Sequence, residues 1–166
     1  MSALRPPIRA RKGRFVIDLG EEESALVLRL LRELRAMLTD DAPNEEVRVL
    51  TARLFPVVHP DDEEAEEEYQ RLMREELVRS RLGAFHVIES ALGGVASRVE
   101  VDEAGLTAFM QSVNSVRLVL GTMLGVTDDP DAEEVAPGFS NSPEYALYGY
   151  LSYLLEHAVR AASAAG

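Results

Sequence analysis

The sequence predicts a mostly α-helical fold, a compact bundle of four or five helices with a small two-stranded β-ribbon. Three observations predict it. Apolar residues recur at a helical period in long segments of the chain. Only two short stretches, Gly13–Leu19 and Arg98–Asp102, alternate apolar and polar residues as strands do. The 166 residues are 46% hydrophobic, enough for one core that buries roughly 70% of the unfolded surface. The reading is therefore a single helical domain over residues 14–163, preceded by a flexible basic arm over residues 1–13.

The elements follow in order. Residues 1–14 hold five cations, Arg5, Arg9, Arg11, Lys12 and Arg14, and no acid. Strand-like Gly13–Leu19 then leads into acidic residues and an amphipathic helix, Glu21–Thr39. Asn44–Leu54 reads as a shorter helix, ended by Pro56 and His59-Pro60. Asp61 or Asp62 can cap the next helix, and Glu63–Glu68 load its first turns, where the helix dipole favours anions. Its stripe of Tyr69, Met73, Leu77, Ala84, Ile88, Ala91 and Val95, with Ser80 in phase, holds a helical period to about Leu92. Gly83 could kink it, and Gly93-Gly94 stops it. Arg98–Asp102 and a helix over Glu103–Val126 repeat the strand, acidic cap and helix pattern. Two short strands are not stable apart, so they should pair. Thr127–Pro143 is rich in Asp, Pro, Gly, Ser and Asn and reads as a mobile loop. The last helix, Pro143–Ala162, carries Leu147, Leu151, Leu154 and Ala158 on one side. Tyr150, Tyr153 and His157 share a second flank, which makes the helix either central to the core or half of an interface, including one in a homodimer.

Charge and composition exclude several function classes. The net charge is −12, and outside the first 14 residues 12 cations stand against 29 acids, a net −17. Such a body repels the phosphate backbone, so nucleic acid could be touched only through the arm. Binding of that kind should weaken steeply with salt and vanish when residues 1–14 are deleted. The arm could equally be a frayed solubilising tail or fold back on the acidic body. The absence of cysteine removes disulfides, thiolate metal sites and thiol redox sensing. No apolar run approaches the roughly 20 residues of a membrane span. The start also lacks the apolar stretch of a signal peptide, so the cytoplasm is the expected location.

A search for chemistry finds none. The acidic block DDEEAEEE lacks the Gly and ligand spacing of a calcium loop, and none of His59, His86 or His157 completes a Glu-x-x-His pair. Nucleotide-binding, nucleophile-elbow and zinc-protease motifs are missing too. The reading is a protein that is no enzyme and has no cofactor. Arg117 is the one residue out of place. With Val113 as zero and about 100° per residue, it falls about +40° away, inside the arc of Leu106, Met110 and Leu120. It must pair with a buried carboxylate, reach out to solvent along its stem, or face another protein. Asn114, one turn earlier, could fix it from the same edge.

Three stretches, RLFPVVHPDDEEAEEEYQRLMREELVRSR (Arg53–Arg81), VNSVRLVLGTMLGV (Val113–Val126) and EYALYGYLSYLLEHAVRA (Glu144–Ala161), together resemble the actinobacterial AosR-like family, once known only as a domain of unknown function. The matching residues are Pro60, Asp61, Asp62 and Tyr69, then Asn114, Arg117, Leu120, Gly121, Met123 and Leu124. The resemblance implies an intracellular oxidative-stress transcriptional regulator that works with RNA polymerase and an alternative sigma factor, through protein contacts. Family gene neighbourhoods suggest an alternative, an adaptor linked to Clp-type proteolysis. A metal-binding helical bundle is a third reading, carried by the acidic helix alone. Without cysteine, a disulfide sensor is excluded here.

Overall fold

Two residues with positive φ, Lys12 at 50° and Gly13 at 80°, turn the chain back on itself and make its N-terminal segment a hairpin. In the computed structural model, which describes residues 5–94, 98–126 and 142–165, β1 (Ile8–Arg11) pairs antiparallel with β2 (Arg14–Asp18). The register puts Ile8 opposite Ile17 and Arg11 opposite Arg14 across the turn. β2 then pairs antiparallel with β3 (Arg98–Val101), Phe15 facing Val101, so the sheet runs β1-β2-β3.

This corrects the sequence reading in two ways. The ribbon has three strands, and residues 8–11, assigned to the flexible arm, form the third. Ile8 is the reason: its side chain is fully buried beside Ile17, and Pro7 accepts a backbone hydrogen bond from Asp18 at 2.7 Å. On the other face Val16 is also buried, flanked in register by Arg9 and Glu100, whose aliphatic stems can cover it.

The helices follow the amphipathic pattern. α1 (Glu21–Leu38) turns Val27, Leu30, Leu31 and Leu34 inward. The short α2 (Glu45–Thr51) is capped by Asn44, which accepts from the Val47 amide, and it tightens into a 3₁₀ turn at Ala52–Leu54. α3 (Glu63–Leu92) is capped by Asp62, and α4 (Glu103–Leu124) by Asp102, each side chain accepting a backbone N–H. Gly125, at a φ of 78°, ends α4 two residues before the expected Val126. α5 (Pro143–Ala165) runs past its expected end at Ala162. The predicted 127–143 loop lies outside the described residues as far as residue 141, as does Val95 of the predicted stripe.

α4 is the central element, packed against α1, α2, α3 and α5. Phe109, Val113 and Leu120 meet Phe85 and Ile88 of α3 and Leu151 of α5 in one apolar cluster that continues into Phe15 and Ile17 of the sheet. α3 runs unbroken through Gly83, but its apolar stripe is not buried throughout. Ala84, Phe85, Ile88 and Leu92 are buried, whereas Met73 is exposed and Tyr69 and Leu77 are only partly covered. Length explains this. Thirty residues span about 45 Å, while the 22 residues of α4 beside them span about 33 Å. About 12 Å of α3, roughly its first eight residues, outruns α4, and the rest of its first half is largely exposed.

Candidate interaction surface

That exposed half is built locally. Glu66, one turn into α3, accepts the backbone amides of Val58 and His59 at 2.9 and 2.7 Å, and also Gln70 Nε2 at 2.6 Å. These bonds, led by Gln70, hold its carboxyl below the usual carboxylate range. His59 packs edge-on against Tyr69, ring centres 5.9 Å apart, and the Arg74 guanidinium lies 3.9 Å from the centre of the Phe55 ring. The 55–62 segment is thus clipped to the helix by side chains of the helix itself. Asp62 serves as the cap, while Asp61 is exposed.

From Asp61 to Arg79 the surface carries nine acids against three arginines, Arg71, Arg74 and Arg79. Arg71 pairs with Glu68, and Arg79 with Glu75 and Glu76, all on the helix surface. Among these charges Leu72 is 61% exposed and Met73 36%, with Val57 and Val58 of the clipped segment exposed as well. An apolar spot rimmed by acids has the make-up of a protein-binding surface.

Arg117 sits elsewhere, where α4 meets α5. Its Nε donates to Ser152 Oγ at 2.8 Å, and its guanidinium carbon lies 4.9 Å from the centre of the Tyr148 ring. No carboxylate pairs with it among the described residues. Of the three readings, the described residues show a half-buried contact on α5 and no ion pair. Asn114 does not bond it either, and faces α3 across a cleft that also contains Arg81.

Arg81 is the arginine that sequence reasoning missed. Its Nη1 donates to Ser115 Oγ at 2.8 Å and its Nη2 to the Leu54 carbonyl at 3.0 Å, joining α3, α4 and the 3₁₀ turn. Ser115 in turn donates to the Gln111 carbonyl at 2.9 Å. Burial lowers the Arg81 guanidinium from its ordinary value. The phase argument applied to Arg117 finds it too: with Ala84 as zero, Arg81 falls about +60° away, beside Ile88 at about +40°. The bridge from Arg35 to both carboxylate oxygens of Glu89, which ties α1 to α3, left no such signal, because each residue lies on a partly exposed flank.

The five basic residues do not form a free patch. Arg9 pairs with Asp18 at 3.1 Å, and Arg11 and Arg14 each lie 4.0 Å from Glu100. Arg5 and Lys12 are exposed. On α5, Tyr150 and Tyr153 stack with ring centres 6.4 Å apart, and Tyr153 meets His157 edge-on at 4.6 Å. Tyr150 is half-buried, and burial, with Glu23 and Tyr153 adding to it, pushes its phenol up to about 12. Tyr153 remains 46% exposed. Among the described residues no group of three or more His, Cys, Asp or Glu comes together as a metal ion would need, and no helix is long and apolar enough to cross a membrane.

The profile of the domain of unknown function DUF2017 matches residues 1–162. The chain is also similar to a Mycobacterium leprae (strain TN) protein named as a candidate oxidative stress regulator, AosR. The two are 28% identical over 155 residues, which cover 86% of this chain and 71% of that protein. No solved structure matches.

Proposed function

The chain belongs to the DUF2017 family, and from that premise we propose that it is a stress-response regulator of transcription that acts by protein contact, without enzymatic activity or thiol chemistry. The name of the Mycobacterium leprae relative supports the regulatory class. The absence of cysteine removes the thiol route to sensing. The observation that carries the contact mechanism is the first half of α3, acidic and mostly exposed, with Leu72 and Met73 exposed on it. Its partner is a basic protein surface of the transcription machinery, RNA polymerase or a sigma factor, working in the cytoplasm. Opposite charge steers such an encounter, and the apolar pair supplies the anchor.

The test is binding of the full chain to purified mycobacterial RNA polymerase, with and without a stress-response sigma factor, measured beside Leu72→Glu and Met73→Glu. Both positions are exposed, so the variants should fold and melt as the parent does. The reading expects saturable binding that weakens with salt and falls about tenfold or more in either variant. Binding to neither component, or equal binding by both variants, overturns it. Retention of a Clp protease component instead would assign the same surface to an adaptor.

A further inference from the structure

Arg81 stands at the wall of a cleft of about 190 Å³ between α3 and α4, at the root of the exposed half-helix. Leu77, Ala84 and Phe85 form its apolar side, and Ser80, Gln111, Asn114 and Ser115 its polar side. A guanidinium offers five N–H donors in one plane. Two acceptors are in place, Ser115 Oγ and the Leu54 carbonyl. The Nε–H is buried and meets no acceptor. No carboxylate pairs with Arg81 among the described residues, although the chain carries 29 acids. Gln111 and Asn114 bring two more amides to the same wall, and their side chains make no hydrogen bond among the described residues.

A desolvated cation without counter-charge is costly, and an unpartnered buried N–H adds to that cost. The cleft is lined by a guanidinium and two side-chain amides and by no acid. We infer that it is a binding site for a small oxyanion, a phosphate or a single carboxylate, seated against Arg81 and held by Asn114 and Gln111. Its size agrees. At about 30 Å³ per water molecule it holds on the order of six waters, room for an anion of a few heavy atoms and not for a nucleotide. An arginine suits such an anion, since a guanidinium can meet paired oxyanion oxygens where a lysine offers a point charge. This assignment is independent of the protein partner proposed above and stands or falls without it.

The experiment titrates inorganic phosphate, and separately acetate, into the full chain. It follows the Arg81 Nε–Hε cross-peak by NMR and the melting temperature, against sodium chloride at equal ionic strength. Saturable shifts and a rise in melting temperature beyond the chloride control are expected from at least one anion, and whichever gives them identifies the source chemistry. Arg81→Lys should weaken binding about tenfold, and Asn114→Leu, which leaves Arg81 in place, several-fold. Should Arg81→Lys fail to fold, Asn114→Leu still decides. Changes no larger than with chloride, or equal affinity in Asn114→Leu, overturn the assignment.

Discussion

At the residue scale, context decides what an out-of-phase arginine does. Arg81 and Arg117 both fall inside apolar arcs, and neither pairs with a carboxylate among the described residues. Sequence phase placed Arg117 and passed over Arg81, and it could not say what covers either, because the facing helices, α4 for Arg81 and α5 for Arg117, are brought up by tertiary packing. For Arg117 the cover is Tyr148 and Ser152, so its substitution strands no buried acid among the described residues. Arg117→Leu should therefore cost about 1–2 kcal/mol in urea unfolding, from one hydrogen bond and one cation–π contact, and not the about 3–5 kcal/mol of a broken buried pair. A cycle with Tyr148→Leu should show coupling of about 0.5–1 kcal/mol; a loss above 3 kcal/mol would reveal a hidden charge partner. Tyr150 carries the pH dependence. Its phenol is raised to about 12, and a raised value favours the neutral form in the folded state. Its contribution is full below the unfolded value of about 10 and is lost as pH rises through the folded value. Stability should thus decline between pH 10 and pH 12, less steeply in Tyr150→Phe. That variant should also lose the tyrosinate absorbance step near pH 12. An unchanged titration would place the raised phenol elsewhere.

At the scale of elements, the helices were legible and the hairpin was not. Amphipathic period and caps located all five helices, and Asn44, Asp62 and Asp102 cap where sequence placed polar starts. The hairpin escaped because its two-residue turn is Lys12-Gly13 instead of the usual Asn-Gly or Asp-Gly, and because five cations made the segment look solvent-bound. Ile8 and Ala10 alternate with Arg9 and Arg11, too short a run for a pattern, yet the burial of Ile8 beside Ile17 is what makes β1 a strand. α3 failed in the opposite direction. Its period is helical from end to end, but a period records which face is apolar and says nothing about where the neighbouring helix stops. The unburied half is for that reason the part of the element on which we propose that a partner docks. The Arg81 cleft lies at its root, where covered and uncovered halves meet.

At the scale of the whole molecule, the first strand packs against the last helix: β1 lies against α5, so the two ends of the chain are joined in one body. The basic segment is consequently not a detachable arm. Arg9, Arg11 and Arg14 face Asp18 and Glu100 within the sheet, and Ile8 is 1% exposed beneath it. Deleting residues 1–14 to ask whether the cations bind a partner would therefore remove β1 and the start of β2 and bare the face of α5. Loss of Ile8 burial alone should cost about 2–4 kcal/mol, a large share of the about 5–15 kcal/mol typical of a domain. Replacing Arg5, Arg11 and Lys12 by Gln removes three charges while sparing Ile8 and the Arg9–Asp18 pair, and should change stability by less than about 1 kcal/mol. Urea unfolding of the two variants side by side separates the possibilities. If the truncation unfolds as late as the parent, β1 contributes nothing and the segment is an arm after all. If it unfolds early while the Gln variant does not, then only the Gln variant can report on what the cations bind. Any partner lost with the deletion alone would then have been lost with the fold.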